Sequence, residues 1–140
     1  MDYYILLASV AIVIALLFLF LTWFKKKFRL RKSGLKKKVD QKFNEINQLL
    51  AIDNESAFRI AVIEADKLLD FVLKARGVRG TTLGERLKNS EGLIKDLNNI
   101  WFAHKVRNRL VHDLDSKIKR SETTRVIKIF RKTINHLIIK

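Results

Sequence analysis

Tyr3 to Phe24 is a run of 22 residues without a charged side chain, interrupted only by the polar Ser9 and Thr22. At a rise of 1.5 Å per residue such a helix is about 33 Å long, enough for a bilayer core of about 30 Å. Tyr3 and Tyr4 at one end and Trp23 at the other are placed like interfacial aromatic belts. A secretory signal peptide would need positive charge before the run and a small-residue cleavage site after it. Here Asp2 precedes the run and Phe24-Lys25-Lys26-Lys27 follows it. The expectation is an uncleaved transmembrane helix over residues 1–24, with Ala11 and Ala15 as a small-residue pair for helix contact.

The charges orient that helix. Residues 25–38 hold nine basic residues and no acidic one. Basic flanks stay on the cytoplasmic side, which puts the N-terminus outside and a single-pass chain's C-terminal domain in the cytoplasm. The same lysines would rest on anionic membrane lipids as a juxtamembrane linker, with Ser33-Gly34 as its flexible point.

Residues 39–140 carry 20 basic and 13 acidic residues, a surplus of +7. A basic surface attracts phosphate backbones, although charge by itself favours the plainer reading of a solvated lysine-rich face. There is no cysteine and no proline among the 140 residues. Disulfides, thiolate catalysis and cysteine-ligated zinc are excluded. Apolar residues recur at helical spacing, so this part is read as a cytoplasmic all-α bundle.

Val39, Phe43, Ile46, Leu49 and Leu50 form one helical face. Asp53-Asn54 breaks the chain, and either residue can cap the next helix. That helix extends to about Arg76, with a stripe of Ala57, Ile60, Ala61, Leu68, Phe71, Val72 and Ala75. Glu64 falls on the stripe and needs a partner if buried. Gly77 is placed to close the helix in the left-handed conformation. After the loop 77–81, Thr82 and Glu85 have the spacing of a capping box opening a short helix to about Asn89. A helix from Leu93 to His112 or Asp113 follows, with Leu93, Leu97, Ile100, Trp101 and Leu110 facing the core. A last helix, capped by Ser121, presents Val126, Ile129, Phe130, Thr133, Leu137 and Ile138. The fold class is thus all-α: an antiparallel four- to five-helix bundle plus one N-terminal transmembrane helix.

The chemistry concentrates in Ala103-His104-Lys105-Val106-Arg107-Asn108-Arg109-Leu110-Val111-His112-Asp113. A histidine can move a proton near neutral pH, and an arginine offers a charged planar fork to a phosphate. With Asn108 beside them, Arg107 and His112 suit RNA cleavage. The histidine would take the 2′-hydroxyl proton while the arginine stabilises the phosphoryl charge. Lys105, Arg109 and His104 would add contacts to nucleic acid. No metal and no cofactor is called for. Five residues along a regular helix leave Arg107 and His112 about 140° apart. Either the helix ends near His112 or a second copy completes the site. Arg131 and His136 stand at the same separation, without the amide after the arginine. A structural reading also accounts for the motif, with Arg109 and Asp113 paired at i,i+4 and cations at a helix C-terminus.

The run Arg107-Asn108-Arg109-Leu110-Val111-His112 resembles the Arg-polar-x-x-x-His signature of the HEPN superfamily. Glu64-Ala65-Asp66-Lys67-Leu68-Leu69-Asp70, Thr82-Leu83-Gly84-Glu85-Arg86-Leu87, Trp101 and Ala103-His104-Lys105 resemble its small bacterial members. The resemblance covers about residues 55–138. It implies a four- or five-helix bundle that dimerises, and a metal-independent endoribonuclease with Arg107 and His112 catalytic and Asn108 orienting the site. Other members of the superfamily are non-catalytic. The alternative is therefore a dimerising nucleic-acid- or protein-binding module tethered to the membrane, with an unknown protein partner. A third reading is a structural membrane protein whose basic face reads lipid.

Overall fold

Capping chemistry sets most helix boundaries in the structure, a computed structural model that describes residues 2–113 and 115–139. For residues 2, 5, 6, 9, 11 and 28–32 it describes the backbone alone. Five helices follow in order: α1 (Asp2–Ile52), α2 (Glu55–Ala75), α3 (Leu83–Lys88), α4 (Leu97–His112) and α5 (Arg120–Ile139). There is no strand among the described residues.

Asp53, at φ 55°, turns the chain out of α1. The Asn54 side chain then accepts a 2.8 Å hydrogen bond from the Ala57 N–H and starts α2. Gly77, at φ 76°, ends that helix. The Val78 N–H reaches back to the Leu73 carbonyl at 3.0 Å, the bond that closes a Schellman turn. Thr82 caps α3 through the Glu85 N–H at 3.2 Å. The return half of the expected box differs. Glu85 accepts from the N–H and hydroxyl of Thr81, at 2.6 and 2.8 Å, one residue further back than the cap. Asp96 caps α4, which begins four residues later than its apolar pattern predicts. Ser121 lies inside α5 and does not cap it.

The chain divides into two compact units, Met1–Gly34 and Leu35–Lys140. In the first, the described side chains of Tyr3–Phe24 are exposed. Among the described residues no helix is long and apolar enough to cross a membrane. The residues expected to form a linker, 25–38, are helical within α1. Lysine and arginine are good helix formers and no proline intervenes, so nothing in that stretch stops a helix except the modest cost of Gly34.

The second unit is a helical bundle built around α2, which packs against α3, α4 and α5. From α1, Val39, Phe43 and Ile46 enter the same core. Neighbours on several sides explain why the buried arc of α2 is wider than a single stripe. Phe58, Val62, Ala65, Leu69 and Leu73 are buried, while Ile60 and Phe71, expected inside, are exposed. The Phe71 ring instead carries the Lys38 ammonium 5.0 Å from its centroid. Glu64 lies half-buried and finds its partners in Lys67 at 2.9 Å and Lys42 at 3.5 Å. On α4, Ala103 and Val106 join Ile100 and Leu110 in the core. On α5, Ile127 and Ile134 are buried, and Ile129 and Thr133 are only half-buried.

Candidate functional site

The polar side chains of α4 meet a buried carboxylate from α2. Asp66 is 3% exposed, an unaffordable position for a carboxylate without partners. It has two. The His104 Nδ1 lies 2.7 Å from Asp66 Oδ1, and the Arg107 Nε lies 3.3 Å from Asp66 Oδ2. The second contact is an ion pair without hydrogen-bond alignment, since that Nε has no hydrogen-bond partner.

Asn108 closes the ring. Arg107 Nη1 donates to Asn108 Oδ1 at 2.9 Å, which turns the amide nitrogen toward His104 Nε2 at 3.2 Å. The directions are mutually consistent. The Asn108 amide donates to Nε2, so the imidazole proton sits on Nδ1 and is given to Asp66. Four side chains thus hold one another in a closed circuit. None of these contacts uses Arg107 Nη2. Trp101 supports the imidazole edge-on, with ring centroids 5.9 Å apart.

This circuit forms one wall of a polar cleft of about 460 Å³. The opposite wall is the loop and first turn of α3, with Thr81, Thr82 and Gly84. A second ion pair, between buried Arg86 and half-buried Asp70, supports that wall. Arg86, 5% exposed, donates to Asp70 Oδ1 at 2.7 Å, and Lys74 takes Asp70 Oδ2 at 2.7 Å. Two glycines shape the loop. Gly80 has φ 145°, and a Cβ there would stand 2.9 Å from the Arg86 backbone nitrogen. A Cβ at Gly84 would project to within 4.0 Å of His104 Nε2, so its absence leaves the histidine edge open to the cleft. Glu85 steadies the same loop. The Thr81 N–H is the main cause of its carboxyl lying below the ordinary value of 4.5.

Of the residues singled out by sequence, the structure gathers Arg107, Asn108 and His104 at the cleft. It does not gather the others. His112 is exposed in the last turn of α4, and Lys105 is exposed. Arg109 is not paired with Asp113; its Nη2 contacts both Glu122 oxygens of α5, at 2.9 and 3.0 Å. Because α4 continues regularly through His112, Arg107 and His112 of one chain diverge by about 140°. The stripe that does share a face is His104, Asn108 and His112, at steps of four.

Sequence alone gives no role to Asp66, Asp70 or Arg86. Asp66 stands at a core-facing position of α2, and a carboxylate there was the available signal. An apolar stripe that includes Ile60 and Phe71 hides it. Among the described residues, no three His, Cys, Asp or Glu side chains converge as a metal site. No protein-family model matches the chain, and neither a curated protein nor a solved structure shows significant similarity to it.

Proposed function

We propose that the chain is a membrane-anchored, HEPN-like helical protein that cleaves RNA as a homodimer, without a metal. The observation that carries this reading is the fixing of Arg107 at an open polar cleft by a buried carboxylate and a neighbouring amide. A cation held in advance costs nothing to reorganise when charge develops on a phosphate. His112 is solvent-exposed one turn beyond Asn108, and its divergence from Arg107 is met by a second copy that faces the first. In the reaction, His112 accepts the 2′-hydroxyl proton and the 2′-oxygen attacks phosphorus. The 5′-oxygen leaves and takes a proton from water, giving a 2′,3′-cyclic phosphate and a 5′-hydroxyl, and His112 later returns its proton to solvent. Arg107 stabilises the phosphoryl oxygens throughout.

The anchor belongs to the same proposal. Among the described residues of the apolar run Tyr3–Phe24, the side chains are exposed, Phe18 by 66%. Lipid is the solvent that suits them, and the basic residues that follow place the folded unit on the cytoplasmic side.

The test uses the full chain in detergent micelles with mixed RNA and excess EDTA, beside His112→Ala and Arg107→Ala. Cleavage leaving cyclic phosphate ends, lost in both variants while the helical circular dichroism persists, is the expected result. A second reading has its own observation: His104 Nε2 is occupied by Asn108, and the whole circuit is internally satisfied. Folded dimer that binds RNA or a protein but cuts nothing would establish that non-catalytic module instead.

A further inference from the structure

The surplus charge of the folded part has a definite address. Residues 39–115 hold twelve basic and twelve acidic residues. Residues 116–140 hold eight basic and one acidic, so the surplus of +7 lies in the last 25 residues, most of it in α5 and its approach. On α5, Arg125, Lys128 and Lys132 follow at steps of three and four and are all exposed. Successive residues turn by about 100°, which places these three on one face together with Ser121 and Asn135. The opposite face of α5 is spent on the core through Val126, Phe130, Ile134 and Leu137.

Seven of the bundle's other lysines and arginines are paired with acids: Lys42, Lys67, Lys74, Arg86, Arg107, Arg109 and Arg120. Among the described residues, Arg125, Lys128 and Lys132 contact none; Arg125 lies over the Phe102 ring of α4, 4.7 Å from its centroid. We infer that this outer face of α5 is a track for the phosphodiester backbone of a nucleic-acid strand. Cations flanked by short hydroxyl and amide side chains are the groups that contact phosphates. Arg125 to Lys132 covers about 10 Å of helix, room for roughly three phosphates. A membrane surface fits less well, because an interfacial helix needs a free apolar face and α5 has buried its own. The inference does not depend on cleavage.

The test uses the full chain in nanodiscs of uncharged lipid, in a His112→Ala background so that no strand is cut. A labelled single-stranded RNA and the DNA of the same sequence are titrated at several salt concentrations. Arg125→Gln/Lys128→Gln/Lys132→Gln is compared with Arg79→Gln/Lys88→Gln/Lys95→Gln, which removes the same charge from exposed positions elsewhere. Glutamine keeps helix propensity, and circular dichroism verifies folding. The α5 variant is expected to lose at least about tenfold in affinity on both strands. Its slope of log K against log salt should fall by about two, since each single-strand phosphate contact contributes roughly 0.7. The control should change less than about twofold. Equal losses in both variants, or no loss in the α5 variant, overturn the track. So does a loss seen only for added vesicles of phosphatidylserine, with RNA and DNA binding intact.

Discussion

Two arginine–histidine pairs stand five residues apart in this chain, and their surroundings have little in common. In α4, Arg107 meets the buried carboxylate of Asp66 and the amide of Asn108 beside a polar cleft. In α5, Arg131 donates to Asn47 at 2.7 Å and lies 4.1 Å from the Phe43 ring centroid, binding α5 to α1. The same spacing gives a polar site in one helix and a packing clamp in the other. What differs is a third residue supplied from elsewhere: Asp66 comes from α2, 38 positions before His104. Spacing along one helix nominates residues; a buried partner from another helix decides which of them are held in place.

The largest expected effect tests that difference directly. Asp66→Ala leaves His104 Nδ1 without its acceptor and Arg107 without its counter-charge, and the loss of a buried ion partner costs about 3 kcal/mol. Asn47→Ala removes a surface hydrogen bond and should cost about 0.5 kcal/mol, with the stacking on Phe43 retained. Chemical unfolding of the full chain in detergent, followed by circular dichroism, measures both. If the two losses are equal, Asp66 is not what distinguishes the pairs.

The cleft's far wall comes next. Gly80→Ala puts a Cβ against the Arg86 backbone at a φ that only glycine adopts comfortably. It should cost about 2 kcal/mol. Thr82→Ala removes the cap of α3 and should cost about 1 kcal/mol. Both changes should also weaken whatever the cleft binds, while Arg131 and its surroundings stay as they are. A Gly80→Ala protein as stable as the parent would show that the loop relaxes freely and does not define the wall.

Much of the bundle was legible beforehand because its determinants are local. Asn54, Gly77 and Thr82 sit where capping chemistry requires them, and no proline interrupts any helix. The faces were less legible because burial depends on how many neighbours a helix has. α2 is surrounded by other helices, and a single-stripe reading turned Ile60 and Phe71 inward when both lie outside. The site was half legible for the same reason. Arg107, Asn108 and His104 announce themselves through their residue types, but their anchor is set by tertiary packing. Glu64, conspicuous on the apolar stripe, has its partners at the surface, whereas the carboxylate two positions later is the buried one.

That contrast between Glu64 and Asp66 yields the smallest effect. The Lys67 ammonium, and then that of Lys42, hold the Glu64 carboxyl below its ordinary value of 4.5. A depressed carboxyl adds stability that is fully present above about pH 4.5 and is lost as pH falls through the folded value. Lys42 behaves in the opposite sense: Glu45 first, then Glu64, raise it above 10.5. Its contribution holds below about pH 10.5 and fades as pH rises beyond it. Both groups lie near solvent, so Glu64→Gln should cost no more than about 0.5 kcal/mol at neutral pH. It should also flatten the decline of stability below about pH 4.5. Unfolding midpoints between pH 3 and pH 7 in the two proteins measure this. A penalty approaching that of Asp66→Ala would mean that the α1–α2 seam, and not the buried carboxylate, carries the electrostatic stability of the unit.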